Sequence, residues 1–173
     1  MAAWALVASL DTPGSGVFDF PSLTLSGYKV IQVIGTGIAV TTDGTDLKLT
    51  FYVGGSEVTS TYQWACFETS TGGSNNTDTG TSQAAVFLCS DAANWDVGNA
   101  AGKSGGFECT VDAPGDTALH KKVNFRESSV GPTGNAVLTP GCGLMANTGA
   151  IDGIKISGTS SFTAGKVRIL GLA

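Results

Sequence analysis

Short runs of β-branched and aromatic residues alternate with polar residues along most of the chain. Two of the clearest runs are Tyr28–Ile34 and Asp46–Val53, in which Lys29, Gln32 and Lys48 stand between apolar positions. Alternation with a period of two residues is typical of a β-strand that turns one face to a core. The pattern therefore predicts an antiparallel β protein.

Turn signals divide the chain into many short strands. The sequences TDGT at residues 42–45 and APGD at residues 113–116 combine residues that favour tight turns. The predicted strands are Trp4–Ser9, Gly16–Phe20, Tyr28–Ile34, Ile38–Thr41, Leu47–Val53, Tyr62–Glu68, Ala84–Cys89, Gly106–Val111, Leu119–Phe125, Asn135–Leu138, Ile151–Ser157 and Lys166–Leu170. They predict an all-β fold, an antiparallel two-sheet β-sandwich of jelly-roll type that forms one domain over residues 1–173. The exception is Ser90–Ala101, where the sequence predicts a short helical turn capped by Ser90 or Asp91.

Composition limits the classes of partner. The chain has 173 residues, of which 42% are hydrophobic and only 13% charged, with a net charge of −5. Its basic residues are scattered rather than gathered in a stripe, which disfavours nucleic acid and membrane surfaces as partners. No apolar run approaches the roughly 20 residues that a membrane-spanning helix needs. The segment Met1–Leu10 lacks the basic start of a signal peptide and is predicted to form the first strand.

The cysteines and the histidine do not have the spacing of a metal site. Cys66, Cys89, Cys109 and Cys142 are far apart, and His120 has no partner at metal-ligand spacing. The cysteines either form disulfides, for which three pairings exist, or remain buried thiols, and the sequence leaves this open. We therefore predict no metal and no cofactor.

No group of residues has the pattern of a catalytic site. His120 is not accompanied by a nucleophile motif such as G-x-S-x-G. Asp43 and Asp46 lie in a turn, where local hydrogen bonds favour aspartate, and they lack the further acidic ligands of a calcium site. The sequence predicts a protein that is not an enzyme.

Two places have the composition of a glycan contact. The segment Ser70–Ser82 is rich in hydroxyl groups and is predicted to be a mobile, solvent-exposed loop that carries Asn75 and Asn76. Trp95 stands in a polar sequence and is the aromatic ring for which exposure is expected. A plain long hairpin loop is the simpler interpretation of Ser70–Ser82, because composition alone carries no chemistry.

Three aromatic residues are predicted to form a contact between subunits. Tyr62 and Trp64 lie on the same side of one predicted strand, and such a pair closes either the protein's own core or a seam between copies. With Phe67 they form the predicted seam of a homotrimer. The low charge and the aromatic residues suggest that a neighbouring copy covers an apolar sheet face.

An early tryptophan is followed by a series of turn and strand signatures. They are Trp4, Gly27–Val33, Thr42–Leu49, Gly54–Ser56, Thr61–Trp64, Ile151–Ile156 and Phe162–Gly171. These segments resemble the small β-sandwich structural proteins of tailed bacteriophages, and the resemblance extends over most of the chain. Such domains occur in head decoration (cement) proteins, head fibres and receptor-binding tail fibres, commonly as trimers. The resemblance implies a virion protein made in the host cytoplasm, and it brings no catalytic residues.

Among these positions, the head of the virion is the one expected. The sandwich is expected to begin within the first few residues and to run to the last, which leaves no room for the shaft of a tail fibre. We therefore expect a capsid decoration protein that docks on the major capsid protein or another virion protein through Met1, Trp4, Leu6 and Leu10. Removal of Met1–Leu10 is expected to abolish this binding and to leave much of the sandwich folded. The alternative is a receptor- or carbohydrate-binding head of a tail or head fibre that contacts host surface glycans.

Overall fold

Antiparallel β-strands make up most of the described chain. The computed structural model describes residues 3–89 and 96–173, and within them there are thirteen strands and no helix. The strands are β1 (Trp4–Leu10), β2 (Phe18–Phe20), β3 (Val30–Val40), β4 (Leu47–Val53), β5 (Ser56–Glu57), β6 (Tyr62–Ser70), β7 (Asn75–Gln83), β8 (Val86–Phe87), β9 (Gly105–Asp112), β10 (Lys121–Val130), β11 (Ala136–Met145), β12 (Ile151–Gly158) and β13 (Phe162–Leu172). The all-β prediction is confirmed.

The strands form two sheets of unequal size. The large sheet has eight strands in the order β1-β13-β3-β9-β10-β11-β6-β7. The small sheet has the order β2-β12-β4-β5, and β8 also pairs with β4. The two antiparallel sheets pack face to face over one cluster of buried side chains, which confirms the predicted two-sheet sandwich.

Strand alternation supplies the side chains of this core. In β10, Val123 and Phe125 are buried, whereas their neighbours Lys122 and Asn124 are exposed. The central strand of the small sheet, β4, is buried at most of its positions, and Phe51 is fully buried. Full burial of a large apolar side chain stabilises the fold by about 1.5–3 kcal/mol. The shared core therefore holds the two sheets together.

Glycines in the large sheet make room for aromatic rings on neighbouring strands. Register places Gly35 opposite Phe107 and Gly141 opposite Phe125. A methyl group at either glycine would overlap the ring beside it, and at Gly141 it would also lie 2.7 Å from the carbonyl oxygen of Ala65. Both rings are buried. These strands therefore contain glycine because a neighbouring ring occupies the space of a side chain.

A lysine lies inside the protein at the start of β10. Lys121 is fully buried, and its ammonium donates hydrogen bonds to the carbonyl oxygens of Leu119 at 2.9 Å and Thr148 at 3.3 Å, and to that of Asp116. Hydrogen bonds that involve a charged group are among the stronger ones in proteins. The ammonium therefore links the loop before β10 to the loop after β11.

We predict that Lys121→Met lowers the free energy of unfolding by about 2 kcal/mol, because it removes the hydrogen bonds that the ammonium donates to three carbonyl groups. Lys122→Met is the matched control, since Lys122 is the exposed neighbour on the same strand. Urea denaturation of both variants measures the difference. Equal midpoints for the two variants would contradict a structural role for the buried ammonium.

Two predicted strands are one strand in the structure. The sequence predicted a break between Tyr28–Ile34 and Ile38–Thr41, but β3 runs through it. Between Gly35 and Ile38 the register with β9 shifts, and Gly37 has a φ of 62°. Glycine adopts positive φ at little steric cost, so a bulge absorbs the extra residues and the strand continues.

The prediction of a mobile loop at Ser70–Ser82 is wrong for most of that segment. Residues 75–83 form β7, which pairs with β6 and lies at the margin of the large sheet. Most side chains of β7 are exposed and therefore polar, which gives the segment the composition of a loop. Its order comes from backbone hydrogen bonds to β6, which do not depend on apolar side chains.

The helical turn predicted for Ser90–Ala101 falls partly on residues 90–95, which lie outside the described residues. Residues 96–101 form no helix, and Val97 makes a single antiparallel bridge with Thr45. The described part of the segment therefore does not support the predicted turn.

The structure resolves the state of the cysteines. All four are free thiols, buried at Cys66, Cys89 and Cys109 and exposed at Cys142. Burial raises the pKa of Cys109 to about 12 and that of Cys89 well above its ordinary value. Because the thiolate is the reactive form, Cys89 and Cys109 are unreactive at neutral pH.

Candidate functional site

The side chains that could bind a metal ion or take part in catalysis do not cluster in the described part of the chain. Among the described residues, no three His, Cys, Asp or Glu side chains are placed to share a metal ion. His120 is exposed beside Asp112 and Lys122 in a shallow depression of about 530 Å³. No helix in the described ranges could cross a membrane. The most distinctive surface lies instead on the large sheet.

The outer face of the large sheet is the face turned away from the small sheet. In β3, Ile31 and Val33 are fully buried, so Val30, Gln32 and Ile34 between and beside them point outward. Paired residues of antiparallel strands point to the same side of a sheet, and the register therefore extends this assignment to the other strands.

Apolar side chains gather at one margin of the outer face. Register places Trp4 beside Leu172 and Leu172 beside Val30, and in the next row it places Leu6 beside Leu170. Trp4 is 45% exposed and Leu6 is 62% exposed. We name this area the edge patch. The edge patch comprises Trp4, Leu6, Val30, Ile34, Leu170 and Leu172.

The edge patch adjoins a free strand edge. Among the described residues β1 pairs with β13 alone, so its other side presents backbone N–H and C=O groups. A register shift between Leu6 and Ala8 adds a bulge to this edge. A free edge with exposed apolar side chains beside it can pair with a strand of another chain.

A second apolar area lies at the other side of the outer face, on β11 and β6. Register sets Cys142 beside Ala65, and Phe67 on β6 is 44% exposed. A shallow depression of about 340 Å³ opens next to these residues. We name this area the far patch. The far patch comprises Ala65, Phe67, Leu138, Pro140, Cys142 and Leu144.

Polar and charged residues separate the two patches. This polar stripe comprises Glu108, Thr110 and Asp112 on β9 and Lys122, Asn124 and Arg126 on β10. Register sets Glu108 opposite Arg126, and Glu108 accepts a hydrogen bond of 2.5 Å from Gln32. Neither Lys122 nor Arg126 makes an ion pair with any residue that the structure describes. The stripe is therefore acidic on β9 and basic on β10.

The predicted capsid-contact residues do not share one surface. Trp4 and Leu6 belong to the edge patch, but Leu10 points inward and packs against the core. Leu10 is therefore wrong as a contact residue, because its partner Val167 is fully buried and the two share a side of the sheet. Met1 lies outside the described residues.

Two of the three predicted seam residues belong to the chain's own core. Tyr62 is fully buried, and its hydroxyl accepts a hydrogen bond of 2.9 Å from the backbone N–H of Phe51. Trp64 is buried and stacks on Phe87 with ring centres 5.1 Å apart. A neighbouring copy cannot use these side chains, which corrects that part of the seam. Phe67 points to the outer face and remains available.

The predicted glycan contacts are also divided. Asn75 is exposed on β7, whereas Asn76 points inward and its amide donates a hydrogen bond of 3.3 Å to Glu68. Trp95 lies outside the described residues. Of the two residues that the structure describes, Asn75 is the exposed one.

The protein also contains a group of buried acids that was not predicted from the sequence: Glu68, Asp96 and Glu127. All three are almost completely buried. The alternation of β10 contained the signal, because Val123, Phe125 and Glu127 occupy inward positions of the same strand. A carboxylate at an inward position of a regular alternation indicates a buried acid.

Burial changes the acidity of Glu127. Burial, and to a smaller extent the negative charges of Glu68 and Asp96, raise the pKa of Glu127 to about 8. The hydroxyls of Ser129 and Thr139 act in the opposite direction, but neither carboxyl oxygen has a well-oriented hydrogen bond. Burial therefore dominates, and Glu127 holds its proton at neutral pH.

Comparison with known proteins adds no family assignment. The sequence matches no protein-family model and no curated protein.

Proposed function

We propose that this protein is a structural protein of a bacteriophage virion, a capsid decoration protein that docks on the head and stabilises it. The observation that carries the proposal is the free edge of β1, with Trp4 and Leu6 exposed beside it. The resemblance of the turn and strand signatures to phage β-sandwich proteins indicates the assembly to which this edge binds.

The edge of β1 offers two kinds of contact at once. Burial of Trp4 and Leu6 against a capsid protein would stabilise the contact by about 25 cal/mol per Å² of apolar surface. Backbone groups of the free edge would add hydrogen bonds to a strand of the partner. A single contact of this size is weak. When several copies are linked, binding of one β1 edge holds the others close to the capsid and raises their effective concentration. An oligomer would present several such edges at once.

Removal of the first strand is a poor test of this proposal. Val7, Ala8 and Leu10 pack against the core. Truncation after Leu10 would therefore expose core residues and unpair β13, so a loss of binding could not be assigned to the contact residues alone. Substitution of the two exposed side chains leaves the core of the protein unchanged.

We predict that the double variant Trp4→Ser with Leu6→Lys binds heads about 100-fold more weakly than the unchanged protein. A 100-fold change corresponds to the loss of about 3 kcal/mol of binding free energy from apolar burial. Co-sedimentation with heads that lack the protein measures the binding. Heads that carry the protein should also withstand a higher temperature before they release their nucleic acid.

Leu119→Ser is the matched control for this experiment. Leu119 is an apolar residue with 56% exposure, and it lies in the loop before β10, away from the free edge. The control should bind like the unchanged protein. The proposal fails if the double variant binds equally well, or if heads with and without the protein are equally resistant to heat.

Receptor or carbohydrate binding is the second candidate, and one observation favours it. The exposed ring of Phe67 lies opposite Thr77 on β7, close to Asn75 along the same margin of the sheet. An exposed ring with hydroxyl and amide groups beside it suits the apolar face and hydroxyls of a sugar. If the protein does not bind heads but binds host polysaccharide, and Phe67→Ala abolishes that binding, this candidate replaces the first.

A further inference from the structure

We propose that two copies of this chain associate through the outer faces of their large sheets, around a twofold axis that runs along the strands between β9 and β10. This contact goes beyond the proposed function, because it assigns a self-contact to the polar stripe, the far patch and the inner residues of the edge patch, Val30, Ile34 and Leu170. It rests on the order of these areas across the sheet.

Charge on the outer face changes sign across the proposed axis. β9 presents Glu108 and Asp112, and β10 presents Lys122 and Arg126. A twofold axis parallel to the strands sets β9 of one copy over β10 of the other and keeps each row of residues level. Glu108 then faces Arg126 of the second copy, and Asp112 faces Lys122. An isologous contact requires this kind of self-complementarity.

Register sets Glu108 beside Arg126 on the neighbouring strand of the same chain, but the two side chains do not form an ion pair. Neither Lys122 nor Arg126 makes an ion pair with the described residues, and Glu108 is hydrogen-bonded to Gln32 on the other side. A second copy supplies carboxylates at the right spacing, because its β9 has the same register. Complementary charges of this kind fix the register of a contact and exclude other partners.

The apolar areas also face each other under the same axis. β3 lies over β11 of the second copy, which sets Val30 against Leu144 and Ile34 against Pro140. β13 lies over β6, so Leu170 faces Ala65. These pairs come from positions in the edge patch and in the far patch. One operation therefore covers most of the apolar surface of the outer face.

A cationic side chain completes this alignment. Arg168 lies beside Ile34 in its row and faces Phe67 of the second copy, where a guanidinium over an aromatic ring adds a favourable contact. Phe67 is 44% exposed in the single chain. In the dimer, Arg168 of the second copy would cover the Phe67 ring that is exposed in the single chain.

The outermost strands remain accessible in this dimer. The strand β1 falls over β7 of the second copy, whose outward side chains are polar. Twisted sheets diverge at their corners when they pack face to face, so contact is closest at the central strands. The edge of β1 with Trp4 and Leu6 then stays free for another partner.

The mass of the protein in solution tests the stoichiometry. Light scattering on the full chain at micromolar concentration should give twice 17.4 kDa. Arg126→Glu should weaken association about 100-fold, because it sets like charges against each other at two symmetry-related places. The double variant Glu108→Arg with Arg126→Glu exchanges both signs and should restore the dimer.

Ser22→Glu is the control, since it adds a negative charge at an exposed position next to β2, on the other side of the sandwich. Circular dichroism confirms that each variant is folded. A monomer, a trimer, an assembly that Arg126→Glu leaves intact, or a charge exchange that restores nothing overturns the inference. Head binding is a separate measurement, so a dimer that does not bind heads contradicts only the proposed function.

Discussion

Glu127→Gln is expected to make the protein more stable than the unchanged chain at pH 9, by on the order of 4 kcal/mol. The reason is the burial of Glu127 beside Glu68 and Asp96, which raises its pKa from 4.5 to about 8. Glutamine fills the same space and carries no charge at any pH. For a protein whose total stability is about 5–15 kcal/mol, this is a large change.

The direction of the pH dependence follows from the two pKa values. Below pH 4.5, Glu127 is protonated in the folded and the unfolded chain, so its ionisation costs nothing. Between pH 4.5 and 8 the unfolded chain releases the proton while the folded protein retains it, and the free energy of unfolding falls as the pH rises. Above pH 8 the group is ionised in both states and the loss is complete.

Urea denaturation at pH 4, 6 and 9 measures this difference. The unchanged protein should lose stability as the pH rises, and Glu127→Gln should show a smaller slope. Asp19→Asn is the control, because it removes an exposed carboxylate from β2, in the small sheet and outside the proposed dimer contact. Parallel profiles for the unchanged protein and Glu127→Gln would show that the buried acid group does not hold a proton at neutral pH.

Gly141→Ala is expected to lower the free energy of unfolding by about 3 kcal/mol, at the upper end of the usual cost of overfilling a core. The new methyl group would overlap the ring of Phe125 and lie 2.7 Å from the carbonyl oxygen of Ala65. Phe125 is buried and cannot move aside without displacing other core residues. The backbone oxygen is also fixed, because β6 pairs with β11.

Thermal melting of three variants tests this expectation. Gly35→Ala should behave like Gly141→Ala, since Phe107 occupies the space beside Gly35. Gly27→Ala is the matched control, because nothing lies within 4 Å of its added methyl group. For a chain of this length, a loss of 3 kcal/mol lowers Tm by about 6–12 °C. A melting temperature for Gly141→Ala equal to that of Gly27→Ala would contradict the role of the ring.

Local pattern predicted the strands well where apolar side chains mark buried positions. The segment Leu47–Val53 was predicted with the bounds of β4, because its apolar residues report burial directly. The pattern failed at β7, where the backbone pairs with β6 but the side chains are mostly exposed. A strand at the margin of a sheet has no apolar face to signal its presence.

The contact residues were harder to predict than the strands. Tyr62 and Phe67 lie on one strand and differ in the side of the sheet to which they point, so one is core and the other is surface. Sequence indicated that Tyr62 and Trp64 share a side, but it could not indicate which side. That choice depends on where the small sheet packs.

The sequence by itself determined an all-β chain, its principal turns and the alternation of inward and outward residues, because these depend on neighbouring residues. Only the tertiary structure decided which strands are neighbours. It brings Trp4 beside Leu172, sets Glu108 opposite Arg126, and gathers Glu68, Asp96 and Glu127 into one buried group. Strand order is set by the packing of two sheets over a common core. The residues that this packing brings together are distant in sequence, so a local sequence pattern cannot predict which of them meet.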